Sequence, residues 1–187
     1  MSVVAYCFDD AYQPDPNKAL SRKKCKILGR GNNRDGHLSA DDDRFAIEEW
    51  QRLRELEDAI KGKATFDRLH INYESMVVLN NASDIYAVGN NKHFKLGIEE
   101  KDDDHTLYHF RQVPFDKKEH GNPVVLSRGI NSSECSFVYT EHNKLFASGL
   151  NDNGAFGNGT TSDSPAAMME IESMEWLGMN SHDLYPN

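Results

Sequence analysis

Histidine, cysteine and carboxylate side chains are the groups with which this chain could carry out chemistry. It has eight histidines and three cysteines, residue types that bind metal ions or act as nucleophiles. No histidine has the spacing of a zinc motif, and Cys7, Cys25 and Cys135 form no C-x-x-C pair. The sequence also contains no G-x-S-x-G, no phosphate-cradling and no dinucleotide-binding glycine motif. We therefore expect no catalytic residue, no resident metal and no cofactor.

One segment offers a calcium-binding alternative. GNNRDGHLSADD (31–42) has the length and the central Asp-Gly of an EF-hand loop, and a helical pattern follows it. Asn33, Asp35, Ser39 and Asp42 fall at plausible ligand positions. Gly31 at the first position offers no side-chain oxygen, however, and Asp42 is shorter than the usual glutamate. The sequence keeps a calcium-binding module at 31–42 as an alternative function.

The composition limits the class of partner and the compartment. The net charge is −9, from 21 Lys and Arg against 30 Asp and Glu, so direct binding to nucleic acid or anionic lipid is disfavoured. The N-terminus lacks the basic region of a signal peptide, and no stretch approaches the roughly 20 apolar residues of a membrane helix. We expect a soluble protein inside the cell, in the cytoplasm or the nucleus.

The elements that position these residues come from a repeat. Residues 26–39, 84–97 and 144–157 align without a gap, and each reads as a short apolar strand, Gly, any residue, Asn, and a turn that closes on Leu or Phe. The matched positions are Gly31, Asn33 and Leu38; Gly89, Asn91 and Leu96; and Gly149, Asn151 and Phe156. The glycines lie 58 and 60 residues apart.

The repeat has a physical interpretation. A glycine at the end of a strand permits positive φ or close backbone approach, and we expect the Asn to close an Asx-turn on its own backbone. The Leu or Phe can then pack between neighbouring sheets, so each unit needs a partner unit. Upstream of the glycine, residues 75–89 and 135–149 each predict a β-hairpin.

The hairpin, the Gly-x-Asn turn and the period together resemble the regulator of chromosome condensation repeat, whose members form four-stranded propeller blades. The resemblance implies an all-β, partial β-propeller of about three blades, with repeats at about 23–66, 67–126 and 127–187. Residues 1–22 would be an N-terminal segment that supplies an edge strand of an incomplete blade, and residues 174–187 resemble the start of a further blade. The chain departs from the family where the usual Gln is His37, Lys95 and Ala155, and where Phe94 replaces a Gly.

A helix is predicted between the first two repeats. Phe45, Trp50, Leu53, Leu56 and Ile60 lie at approximately helical spacing, with Asp43 as a cap and Gly62 as a stop. We expect a helix over about 43–61, inserted in a blade and packed on the propeller.

Acidic runs follow the turn in the first two repeats. They are Asp41, Asp42 and Asp43 in the first, and Asp102, Asp103 and Asp104, preceded by Glu99 and Glu100, in the second. Equivalent blades would present these loops on one face, as an acidic rim for a basic protein surface such as a histone tail. The predicted function is a protein-interaction module or scaffold, whose partner is another protein, a second copy or a large assembly. Guanine nucleotide exchange on a small GTPase, which the resemblance implies for some members, is the alternative.

Overall fold

The computed structural model describes residues 2–8, 25–38, 45–59, 66–71, 74–80, 82–100, 105–128, 134–163 and 166–173. The strands are β1 Ser2–Phe8, β2 Cys25–Asn32, β3 Ala46–Arg52, β4 Phe66–Ile71, β5 Ser75–Asn80, β6 Ile85–Asn90, β7 Thr106–Gln112, β8 Pro123–Arg128, β9 Cys135–Thr140, β10 Lys144–Gly149 and β11 Met169–Ser173. Helix α1 is Arg54–Ala59 and helix α2 is Lys117–His120, and Lys92–Phe94 form a 3-10 turn.

The strands form three antiparallel sheets in chain order. The described part of the first sheet is β1-β2-β3, the second is β4-β5-β6-β7 and the third is β8-β9-β10-β11. Each sheet is one blade, so the predicted all-β fold with about three blades is confirmed. The predicted start of a further blade at 174–187 lies outside the described residues.

The same hairpin register recurs in all three blades. Ser2 pairs with Gly31, Ser75 with Gly89, and Cys135 with Gly149. The glycine thus lies at the end of its strand or one residue before it, opposite the first residue of the preceding strand. The predicted hairpins at 75–89 and 135–149 are confirmed as β5-β6 and β9-β10.

Apolar side chains are buried between blades. Every residue of β5 is buried, because the first blade covers one of its faces and the third blade covers the other. Met76 and Val78 pack with Ile27 of the first blade, whereas Val77 packs in a cluster that includes Phe146 of the third blade. A blade therefore gains its core from its neighbours, as expected for stacked repeats.

The predicted helix over 43–61 is wrong in most of its described part. Ala46–Arg52 is the third strand of the first blade, and the helix is limited to Arg54–Ala59. Pairing with β2 overrides the helical spacing, since tertiary context routinely outweighs local preference. Leu53 and Leu56 are buried as the pattern required, but Phe45 is 74% exposed and Trp50 is 48% exposed.

The calcium-binding interpretation of 31–42 is also wrong. An EF-hand loop joins two helices, whereas the described part of this loop follows strand β2 and the chain resumes as strand β3. The Asn33 side chain accepts a hydrogen bond within the loop, from the Leu38 N–H. Ser39 and Asp42 lie outside the described residues.

In the described part of the chain, no helix is long and apolar enough to cross a membrane.

Candidate functional site

The three blades share an edge at which strands β2, β6 and β10 end. We call this edge the Gly-turn rim and define it as residues 31–38, 89–100 and 149–163, together with Glu74 and Glu134, which precede β5 and β9. All three Gly-x-Asn turns lie in it. It is therefore the surface at which the repeats place equivalent loops.

A buried asparagine holds each loop of the rim. In every blade the asparagine Oδ1 accepts the backbone N–H five residues further on at 2.9 Å, from Leu38 to Asn33, from Leu96 to Asn91 and from Phe156 to Asn151. The three asparagines are at most 2% exposed, and the Leu and Phe side chains are at most 5% exposed. One side chain thus fixes the loop and directs its apolar residue into the blade.

The amide group of the asparagine ties down the far side of the loop. Asn91 Nδ2 donates to the Ile98 carbonyl at 2.7 Å, and Asn151 Nδ2 donates to the Thr160 and Ser162 carbonyls at 3.1 and 3.0 Å. The Asx-turn expected at Asn91 and Asn151 is wrong. Their Oδ1 atoms accept the backbone N–H five residues further on, at the far end of the loop.

The Asx-turn is made one residue earlier in two blades. Asn32 Oδ1 accepts the Arg34 N–H and Asn90 Oδ1 accepts the Lys92 N–H, each at 3.0 Å.

All three glycines are required by conformation, and Gly89 and Gly149 are also required by space. Gly31, Gly89 and Gly149 have φ of 120°, 99° and 117°. A Cβ at Gly89 would lie 2.3 Å from the Glu74 carbonyl oxygen, and one at Gly149 would lie 2.2 Å from that of Glu134. Any side chain would therefore push the two central strands apart.

A buried lysine joins the second and third blades at this rim. Lys95 is 0% exposed, and its Nζ lies 3.0 Å from Glu74 Oε2 and 3.4 Å from Glu134 Oε2. The loop that carries it is also bonded to the third blade, since Ser136 and Ser148 hydroxyls donate to the Lys95 and Phe94 carbonyls. The sequence marked Lys95 only as a departure from the usual Gln. Its partners lie 21 and 39 residues away, so no local pattern could have found them.

His37 occupies the matching position of the first blade. It is completely buried, and burial lowers its pKa to about 4, while the nearby Glu74 charge acts in the opposite direction. Burial, followed by Glu74, raises the pKa of the neighbouring Asp35. His37 is therefore neutral at physiological pH.

The described part of the rim is mixed in charge. Arg34 and Lys92 are exposed cations, and Glu99, Asp152 and Asp163 are exposed carboxylates. The predicted acidic rim residues Asp41, Asp42, Asp43, Asp102, Asp103 and Asp104 lie outside the described residues, so a shared acidic face stays a prediction. Among the residues that the structure describes, no group of three or more His, Cys, Asp or Glu is placed to hold a metal ion.

Antiparallel blades that stack face to face, each with its loops on a common rim, define a β-propeller type of repeat protein. The solved structures to which this chain is similar include regulator of chromosome condensation (RCC1) propellers. The predicted resemblance to the RCC1 repeat is thus confirmed at the level of the fold.

Three similar structures illustrate the likeness. Human WBSCR16 has a TM-score of 0.61 at 15% identity, covering 78% of this chain and 35% of that chain. Prp20p from Saccharomyces cerevisiae, described with its binding properties to Gsp1p and histones, has a TM-score of 0.60 at 17% identity, covering 80% and 35%. Yeast RCC1 (Prp20) bound to Kap60 has a TM-score of 0.63 at 17% identity, covering 80% and 34%. The chain spans about a third of the length of these proteins, and no protein-family profile or curated protein matches it.

Proposed function

We propose that this chain is a protein-recognition module that binds a basic protein surface at the Gly-turn rim. The observation that carries the proposal is the repeated asparagine bond, which anchors three equivalent loops side by side at one edge of the blades. Loops held by a rigid scaffold are the usual place for binding residues.

The acidic runs supply the expected chemistry of the partner. Asp41–Asp43 fall between Leu38 and Phe45, and Asp102–Asp104 fall between Glu100 and His105, so each run follows the asparagine-anchored turn of its blade. Runs of carboxylates at equivalent positions of two repeats would favour a cationic partner and speed its association at low salt. The similarity to Prp20p, described with its binding to histones, supports histones as the first partner to test.

The test is a binding titration of the purified chain with core histones at several salt concentrations. A variant with Asp41, Asp42, Asp43, Asp102, Asp103 and Asp104 all changed to Asn should bind at least about tenfold more weakly and lose most of its salt dependence. Glu119→Gln is the matched control, because this glutamate is 70% exposed on α2, outside the rim. Equal affinity of the six-residue variant and the wild type would reject the two acidic runs as the residues that bind the partner.

Nucleotide exchange on a small GTPase is the second candidate function. It is supported by the similarity to Prp20p, described with its binding to Gsp1p. Such an activity requires residues that reach into the GTPase and loosen its nucleotide, and the sequence identifies no such wedge. Release of a fluorescent GDP analogue from Gsp1p would be measured with and without the chain. A rate that rises with chain concentration supports exchange activity, and an unchanged rate rejects it for this GTPase.

A further inference from the structure

The outer strands of the first two blades contain the same β-bulge. In the pairing of β2 with β3, Gly29 lies opposite Gln51 and Gly31 lies opposite Ile47, so that the three residues 48–50 face Arg30 alone. In the pairing of β6 with β7, Ala87 lies opposite Arg111 and Gly89 lies opposite Leu107, so that the three residues 108–110 face Val88 alone. We call these segments the β3 bulge (Glu48, Glu49, Trp50) and the β7 bulge (Tyr108, His109, Phe110).

The β7 bulge is occupied by a segment of the preceding blade. Glu55 of α1 accepts the Phe110 backbone N–H at 2.8 Å, and the same carboxylate oxygen lies 3.1 Å from His109 Nδ1. The next residue of the helix, Leu56, is fully buried in a cluster against which Phe110 packs. Glu55 and Leu56, a charged residue followed by an apolar one, therefore fill this bulge. Bulges often redirect side chains toward a contact of this kind.

The β3 bulge has the same backbone arrangement as the β7 bulge, but it carries an acidic residue where the β7 bulge carries a histidine. Glu49 stands where the β7 bulge has His109, and Trp50 stands where it has Phe110. Phe110 is half-buried beneath α1, whereas Trp50 is 48% exposed. Glu48 is also exposed, and Arg30, which faces the bulge, is an exposed cation. These three bulge residues thus present two carboxylates beside an exposed indole.

We propose that the β3 bulge binds a basic segment of a partner protein, in which a Lys or Arg pairs with Glu49 and the following apolar residue packs on Trp50. The carboxylate at position 49 replaces the histidine that pairs with Glu55 in the second blade, so the complementary charge on the occupant is positive. A second copy presenting its own α1 is disfavoured, because Glu55 would approach Glu49.

The inference rests on the proposed function in taking the occupant to be a protein. The β3 bulge lies next to the first asparagine-anchored loop, because the Phe45 carbonyl accepts the Asn33 N–H and Ile47 pairs with Gly31. Aromatic side chains on a surface are the residues that most often dominate protein binding. The exposed Phe45, which immediately precedes β3, adds a second aromatic side chain to the same strand.

The experiment uses Trp50 as its own reporter. The chain has two tryptophans, so Trp176→Phe leaves Trp50 as the single emitter. This variant is titrated with a peptide of residues 52–60 carrying Glu55→Lys, and with the unmodified peptide as control. We expect the lysine peptide to shift Trp50 emission to shorter wavelength in a saturable way, and the unmodified peptide to bind at least about tenfold more weakly.

A charge exchange completes the test. Glu49→Lys should reverse the preference, so that the unmodified peptide binds better than the lysine peptide, while Glu99→Lys at an exposed glutamate of the rim should leave the preference unchanged. Circular dichroism establishes that each variant is folded. An emission spectrum that the lysine peptide does not change up to millimolar concentration overturns the inference, as does a preference that Glu49→Lys fails to reverse. Histone binding that persists in either case leaves the proposed function standing.

Discussion

Replacing Lys95 with Met would test the ionic contact between the second and third blades. The lysine ammonium group is completely buried between Glu74 and Glu134, which are 33% and 29% exposed. Methionine has a similar volume and keeps the apolar stem, so the change removes mainly the charge. Two carboxylates from neighbouring blades would then face each other across an uncharged side chain.

The size of the effect follows from the burial of the three groups. Removing one partner of a fully buried ion pair typically costs about 3–5 kcal/mol, because an unpaired charge is left behind. Both glutamates keep access to water, so we expect the free energy of unfolding to fall by about 2–3 kcal/mol. For a chain of this length that corresponds to a melting temperature lower by roughly 5–10 °C.

The assay is urea unfolding followed by circular dichroism, with two further variants. In the triple variant Glu74→Gln, Lys95→Met, Glu134→Gln no charge is left unpaired, and its stability should return to within about 1 kcal/mol of the wild type. Lys95→Gln, the residue usual in the RCC1 repeat, should lose about as much stability as Lys95→Met. A Lys95→Met variant within about 0.5 kcal/mol of wild type would refute the ionic contact, and a triple variant as unstable as the single one would show that packing causes the loss.

Three further predictions concern the turns and their pH dependence. Gly149→Ala should lower the free energy of unfolding by at least about 2–3 kcal/mol, because its Cβ would lie 2.2 Å from the Glu134 carbonyl oxygen. The control Gly157→Ala, with nothing within 4 Å and φ of 69°, should lower it by only about 1 kcal/mol. Equal losses of the two variants in thermal unfolding would contradict the turn geometry. Asn151→Leu should lower the free energy of unfolding by about 3 kcal/mol, since it leaves a buried N–H without an acceptor, and a loss under about 1 kcal/mol in urea unfolding would argue against the asparagine anchor. His37 has a folded-state pKa of about 4 against 6.5 when unfolded, so the unfolded chain takes up the proton first and stability falls by on the order of 2–3 kcal/mol as pH drops from 6.5 to 4. In His37→Gln this part of the pH dependence should vanish, and an unchanged slope would exclude His37 as its source.

The repeat could be recognised in the sequence because the backbone itself imposes it. Gly89 and Gly149 stand where a Cβ would strike a neighbouring carbonyl, and Asn91 and Asn151 stand where one side chain must bond several backbone groups of the loop. Few residue types satisfy these demands, so the same letters recur at a fixed period. A constraint that acts within one blade therefore leaves a pattern that can be recognised in the amino-acid sequence.

The features that the sequence did not reveal depend on contacts with another strand or another blade. Residues 46–52 have helical spacing, but pairing with β2 makes them a strand, and only Ile47 of that strand is buried. Lys95 is buried where it forms ion pairs with Glu74 and Glu134, which belong to two different sheets. Neither partner lies near it in the sequence, so neither local pattern nor composition could indicate the pairing.

The differences between the blades carry more functional information than their similarities. In the first two blades, the residue in the usual Gln position lies close to the glutamate that precedes the next blade's central hairpin. The Glu74 charge acts on His37, and Lys95 forms ion pairs with Glu134 and Glu74. Ala155 in the third blade is exposed instead. Because the charge of this residue changes from blade to blade while the turn around it does not, the blades are not interchangeable. The repeated turn places the loop, and the varying residue sets the chemistry of its contact with the next blade.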